Sequence, residues 1–138
     1  MSDTPETTLM QRAHAGRERA YAPYSRFKVG AALLARDGQV FEGCNIENGA
    51  YPLCNCAERT AIFSAVATGL RRGDFAALAV IGDTPQPISP CGACRQVMSE
   101  FFDPDMPVWL GNLGGLLQRT SVRELLPGHF EMAPPATD

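Results

Sequence analysis

The sequence predicts an α/β domain built on one five-stranded mixed sheet with helices packed on it, and three observations carry that expectation. Nearly continuous apolar sequence over 75–81 is what a central strand covered on both faces requires. Helix-start signals recur at Thr4-Pro5, Asn55, Ser89-Pro90 and Ser121, interleaved with short strand-like runs. Two of those runs, 107–111 and 116–119, are separated by Asn112-Leu113-Gly114-Gly115, which is too short for a crossover helix. The last two strands must therefore pair antiparallel.

The elements follow in order. Thr4 caps a first helix, Pro5 takes its first position and Glu6 puts an acid in its first turn. Leu9, Met10, Ala13 and Gly16 share a face, so this helix extends to about residue 20, before Ala22-Pro23-Tyr24-Ser25 stops it. The segments 27–34 and 39–45 form a hairpin around Arg36-Asp37-Gly38. A loop over 45–55 is broken by Asn45, Asn48, Gly49 and Pro52. Asn55 then caps a helix over 56–68 that buries Ala61, Ile62 and Ala65 and stops at Gly69-Leu70. Beyond the central strand, Ser89-Pro90 opens a third helix carrying Cys94, Val97, Met98 and Phe101 along one stripe. Ser121-x-x-Glu124 is a capping box for a short last helix stopped at Pro127. The order is α-β-β-α-β-α-β-β-α in a single domain over 1–138, with 1–4 and 131–138 expected to be loose.

Composition narrows the partners. With 45 % hydrophobic and 20 % charged residues, the chain is ordinary for a globular protein. Its net charge is −3, and Arg71-Arg72 is the only adjacent basic pair. A nucleic-acid binder would show a basic stripe, so a small neutral substrate is expected instead. No apolar run approaches the length of a membrane span, and the opening residues do not read as a secretory leader. A cytoplasmic protein with no membrane partner is expected.

The chemistry lies in the cysteines. Cys44, Cys54, Cys56, Cys91 and Cys94 are odd in number and clustered as C-x-C and C-x-x-C, which favours metal or redox chemistry over a disulfide framework. Cys91 and Cys94 project from one helix face, and Cys56 opens the preceding helix. Should the two helix starts converge, three thiolates meet, one ligand short of a closed tetrahedral zinc site, and the fourth position can take water. Glu58 then stands two residues away as a carboxylate able to move protons.

Other readings coexist with this one. The cysteines can be core thiols, Cys91 and Cys94 a redox pair, or Cys54 the fourth ligand of a closed structural site. Glu58 can simply bond the cap amide at Asn55. Three thiolates on a divalent ion leave the site formally at −1, which weakens its acidifying power. Two helix N-termini and hydrogen bonds from Arg59 to the sulfurs can offset that charge, unless Arg59 is a plain surface residue.

Five strings resemble the cytidine deaminases: Tyr21-Ala22-Pro23-Tyr24-Ser25, Phe27-Lys28-Val29-Gly30-Ala31-Ala32, Asn45-Ile46-Glu47-Asn48, Cys56-Ala57-Glu58-Arg59-Thr60, and Pro90-Cys91-Gly92-Ala93-Cys94-Arg95-Gln96. The resemblance runs in order from about Tyr21 to Phe130 and is to the small, three-cysteine branch of that family. It implies a three-layer α/β/α fold, one Zn2+ per subunit on Cys56, Cys91 and Cys94, and Glu58 as proton carrier. It further implies a nucleoside substrate, a homotetramer and a place in pyrimidine salvage. By the same resemblance, Asn45 and Glu47 meet the ribose hydroxyl and Phe27 packs against the pyrimidine. Ala57 would contact the base near the attacked carbon through its backbone. Tyr51 and Phe130 would help complete a neighbouring subunit's pocket. The loop Gly49-Ala50-Tyr51-Pro52-Leu53 departs from the commoner small-residue pattern at Gly49 and Pro52.

The expected activity is hydrolytic deamination of cytidine and deoxycytidine with release of ammonia. Its rivals are a structural four-cysteine zinc module, a deaminase acting on polynucleotides, and an antibiotic-nucleoside deaminase on the same scaffold. The expected hairpin over 107–119 counts against the polynucleotide class, whose members usually place a helix there.

Overall fold

The computed structural model describes residues 4–130 and 132. Its elements are α1 (Pro5–Arg17), β1 (Val29–Ala35), β2 (Val40–Cys44), α2 (Ala57–Ala67), β3 (Phe75–Gly82), α3 (Gly92–Phe101), β4 (Val108–Asn112), β5 (Leu117–Thr120) and α4 (Val122–Leu125), with a 3₁₀ turn at Tyr51–Leu53. This is the element order read from the sequence. The loose ends expected at 1–4 and 131–138 lie largely outside the described residues. Thr4 lies within them and is ordered as the α1 cap, its hydroxyl accepting from the Thr7 amide at 3.2 Å.

The sheet runs β2-β1-β3-β4-β5, with β3 and β4 parallel and every other neighbour antiparallel. Strand parity decides the layers, because successive side chains leave opposite faces. Ala31, Leu33, Leu78, Val80, Val108 and Leu110 face one way and pack with Ala61 and Ile62 of α2 and Met98 of α3. Ala32, Ala77, Ala79, Ile81 and Trp109 face the other way and pack with Leu9 and Ala13 of α1. The result is the expected three-layer arrangement, helix on both faces of one sheet.

The helices sit close to the strands at two glycines. A Cβ at Gly30 would stand 2.0 Å from the Ala13 carbonyl oxygen, and one at Gly43 would stand 2.4 Å from that of Ala57. The second contact seats the first turn of α2 directly on β2.

That seating also explains why the starts of α2 and α3 meet. α2 runs down the sheet into the beginning of β3 through a short turn closed by Gly69, whose φ is +112°. α3 leaves from the far end of β3 and returns towards β4. Both helix N-termini therefore lie at the carboxyl end of β3, where open α/β sheets place their ligands.

Several boundaries differ from expectation. α1 ends at Arg17 rather than near residue 20, because Tyr21 turns extended and pairs with Ile46. The Tyr21 amide donates to the Asn45 carbonyl at 3.0 Å. β1 begins at Val29, since Phe27 and Lys28 are diverted into the loop that the Asn45 side chain holds. Neither Asn55 nor Ser89 caps a helix. The N-caps are Cys56 and Cys91, whose carbonyls accept the first helical bonds from Thr60 and Arg95, each at 3.0 Å. The backbone of Asn55 instead pairs both ways with Ile46, and the Ser89 hydroxyl accepts from Arg95. Ser121 caps α4 as expected, its hydroxyl accepting from the Glu124 amide at 3.3 Å, while Glu124 Oε2 meets that same hydroxyl, also at 3.3 Å.

Candidate active site

Placing cysteine at both N-caps has a direct chemical consequence. Neither sulfur is spent on capping its own helix, so both remain available at the helix mouths. Cys56 Sγ lies 3.7 Å from Cys91 Sγ, which lies 3.4 Å from Cys94 Sγ, and the three sulfurs are within 4.8 Å of one another. A tetrahedral zinc holding each sulfur at about 2.3 Å spaces them roughly 3.8 Å apart. These cysteines are free rather than paired, and their spacing is that of a three-sulfur zinc cradle. The donor set fits the metal, with the unfilled amides of two helix starts adding partial positive charge.

Cys54 takes no part in that cluster. Its sulfur accepts from the Asn48 amide at 3.3 Å and lies 3.5 Å from the Asn48 carbonyl, which fastens the loop ahead of α2. The closed four-cysteine reading therefore lacks its fourth sulfur among the described residues.

Arg59 is not the plain surface residue of the alternative reading. Its Nη2 donates to Cys56 Sγ at 3.3 Å, and its Nε is buried. Hydrogen bonds from Cys94, then from Arg59 and Cys91, pull the Cys56 thiol down to about 5. The same sharing with Cys56, together with burial, pushes the Cys94 thiol up. The cluster thus favours thiolate first at Cys56, the sulfur that the guanidinium touches.

Glu58 follows in the first turn of α2 and is only 4 % exposed. Burial, and then the charge of Cys56, pushes its carboxyl up to about 7. It is not spent in a capping box, since the N-cap has moved to Cys56. Ala57, between them, is fully buried.

These groups open into a cavity of about 650 Å³, within the range of small-molecule sites. Phe27, Asn45, Glu47, Tyr51, Ala57 and Glu58 all line it, as do Cys56 and Cys91. Phe130, by contrast, is 68 % exposed and does not line the cavity of its own chain. Tyr24, Ser25, Ile88 and Ser89 line it without having been named as site residues from the sequence. Tyr24 and Ser25 carried a signal, because they sit in one of the five resembling strings, whereas Ile88 carried none.

Asn45 and Glu47 are already engaged with the chain. Asn45 Oδ1 accepts from the Val29 amide and its Nδ2 donates to the Phe27 carbonyl, each at 2.8 Å. Glu47 Oε1 accepts the amides of Tyr24 and Ser25 at 3.0 Å each, while Oε2 accepts the Ser25 hydroxyl. The Ser25 hydrogen bonds hold the Glu47 carboxyl below the usual carboxylate range. An amide offers two donors and two acceptor sites, and a carboxylate about four acceptor sites. Asn45 therefore keeps one of each for a ligand, and Glu47 keeps one acceptor.

Comparison with known proteins agrees with this geometry. The family described as "Cytidine and deoxycytidylate deaminase zinc-binding region" matches residues 3–109. A cytidine deaminase of Sporosarcina psychrophila is 58 % identical over 122 residues, covering 88 % of each chain. One from Halalkalibacterium halodurans is 57 % identical, covering 88 % of this chain and 91 % of its own. Among solved structures, a crystal structure of a cytidine deaminase from Burkholderia pseudomallei superposes with a TM-score of 0.90 at 58 % identity, covering 92 % of this chain and all of that one.

Proposed function

The chain belongs to the cytidine and deoxycytidylate deaminase family, and from that premise we propose that it hydrolyses cytidine and deoxycytidine to uridine and deoxyuridine, releasing ammonia. The observation that carries the reading is the three-sulfur cradle of Cys56, Cys91 and Cys94 beside the buried carboxyl of Glu58. Zinc bound there supplies a Lewis acid that brings the pKa of a water towards about 7.

The protein's own groups do the rest. Glu58 takes a proton from the attacking water and passes it to the ring nitrogen beside the amino-bearing carbon. As the carbon–nitrogen bond breaks, Glu58 carries the second water proton to the departing amino group. Water and substrate become ammonia and a ring carbonyl, and the carboxylate is restored. General acid–base catalysis of this kind contributes about 10²–10⁴-fold. The Ala57 backbone lies against the base near the attacked carbon, and Phe27 packs on the pyrimidine.

The ribose falls to Asn45 and Glu47. The remaining Glu47 acceptor site takes a sugar hydroxyl proton, and the second Asn45 N–H donates to the same oxygen. None of the described residues lining the cavity is basic, and its two carboxyl groups are those of Glu47 and Glu58. A nucleoside suits such a pocket better than a nucleotide, whose phosphate would lie on the Glu47 side with no basic side chain to pair it.

The same proposal includes a homotetramer, a cytoplasmic location and a role in pyrimidine salvage. Tyr51 and Phe130, 85 % and 68 % exposed, would reach a neighbouring subunit's pocket in such an assembly. No helix among the described residues is long and apolar enough to cross a membrane.

The test pairs zinc content with the absorbance change and ammonia release on free cytidine, with deoxycytidylate alongside. Zinc-loaded protein should deaminate the nucleosides and leave the nucleotide largely untouched. Stoichiometric zinc without ammonia would mark a structural metal module instead.

A further inference from the structure

We propose that Ser25 is a positioning residue for substrate binding, its hydroxyl coupling the Glu47 carboxylate to the backbone that carries Phe27. The inference rests on the cytidine reading above and adds a residue to it.

The direction of each hydrogen bond is forced. Glu47 can only accept when ionised, so the Ser25 hydroxyl spends its one proton on Glu47 Oε2. The oxygen is then left as an acceptor, and the Phe27 amide donates to it at 3.0 Å. A continuous relay runs from the Phe27 amide through the Ser25 hydroxyl to the Glu47 carboxylate. Each bond in such a chain polarises the next.

The segment needs that fastening. Arg26, between the two bonded residues, has φ +58° and is the one non-glycine residue with positive φ among those described. Side-chain-bearing residues disfavour that region, so neighbouring contacts must hold the backbone there. Phe27 lies outside β1 and is 39 % exposed. Its Cζ would stand 3.5 Å from a Cβ at Gly82. Phe27 is thus only partly enclosed by its own chain, and its backbone ties help to set where the side chain stands. Asn45 ties the Phe27 carbonyl, and Ser25 ties its amide.

Removing the hydroxyl leaves the Phe27 amide and one Glu47 lone pair without these partners and loosens the Arg26 turn. Glu58 is untouched, because it stands on α2, a separate element seated on β2. The loss should therefore fall on substrate capture and spare proton transfer.

The experiment is steady-state kinetics of the zinc-loaded enzyme on cytidine, with Tm measured on every variant. S25A should raise KM about tenfold, the size of one hydrogen bond to a charged group, with kcat held within about threefold. S25T keeps the hydroxyl and should restore most of the KM. S25A/R26G should recover part of it, because glycine adopts positive φ freely. In an E47Q background the S25A effect should shrink, since the two act through one relay. An unchanged KM in S25A, or losses in kcat and KM that S25T does not rescue, would overturn the inference. Fully additive S25A and E47Q effects would also overturn it. If S25A is too unstable to assay, S25C carries the same KM expectation and the same overturning result. A wild-type protein inactive on cytidine overturns both this and the functional reading; an active one with an indistinguishable S25A overturns this alone.

Discussion

The guanidinium of Arg59 donates to the sulfur of Cys56 at 3.3 Å, one helical turn along α2. That bond matters because three thiolates would otherwise saturate a divalent ion with charge. A donor on one sulfur draws electron density off the metal and keeps it a usable Lewis acid. Partners of metal ligands typically change affinity or activity by about 10–100-fold when removed. Arg59→Ala should therefore lower kcat on cytidine by about that factor, while metal analysis still finds about one zinc per chain. Full activity in that variant would show that charge compensation comes from the helix ends alone.

The sulfurs themselves divide cleanly. Cys91→Ala should lose zinc and deaminase activity together, since two sulfurs cannot replace a three-sulfur cradle. Cys54→Ala should keep its zinc, because Cys54 lies outside that cluster and holds Asn48 instead. Metal analysis of the two purified variants checks both expectations. Zinc retained in the first and lost in the second would reverse the ligand assignment.

Gly43 sets how closely α2 lies on the sheet, and α2 carries both Cys56 and Glu58 at its start. A methyl group there meets the Ala57 carbonyl oxygen at 2.4 Å and the Ala61 amide at 2.7 Å. Gly43→Ala should cost about 1–3 kcal/mol of stability by overpacking. It should also displace the proton carrier, so activity should fall at temperatures where the variant is still folded. Chemical denaturation and kinetics on the same preparation separate the two effects.

A surface cluster gives the acid limb of stability. Arg12, and after it Arg19, holds the Glu42 carboxyl below the usual carboxylate range. A carboxyl whose folded-state pKa is depressed stabilises the fold above its unfolded value and loses that contribution as pH falls through the folded value. Glu42→Gln should thus lower Tm at neutral pH, and the gap from wild type should close as the solution is acidified. A gap that widened on acidification would contradict the assignment.

How far the sequence carried the fold can be judged element by element. The unbroken apolar run at 75–81 became a strand buried on both faces, because parity alone sends Leu78 and Val80 one way and Ala77 and Ala79 the other. Thr4, Gly69 and Ser121 behaved as local punctuation, since their bonds are made within a few residues. Asn55 and Ser89 failed as caps for a tertiary reason. Asn55 is drawn into pairing with Ile46, across a loop whose closure no local pattern reveals, and Ser89 is claimed by Arg95. Cysteine then takes the cap position at both helices.

The site was legible where chemistry dictates residue type. Cys56, Glu58, Cys91 and Cys94 could be read from spacing, and the structure brings the sulfurs and Glu58 to one cavity wall or its edge. Asn45 and Glu47 were legible only through family resemblance, and their second task was not legible at all. That task is to tie the backbone of residues 24–29, and it depends on the start of β1 standing beside the loop. Ile88 reaches the cavity from the loop before α3, where nothing in its neighbours marks it.

The most direct test is the Glu58→Gln variant, assayed for zinc and for deamination of cytidine on one preparation. The variant should hold about one zinc per chain and lose at least 10²–10⁴-fold in rate, because its amide cannot carry the proton. Zinc-loaded Glu58→Gln working at close to the wild-type rate would contradict the assignment of Glu58 as proton carrier.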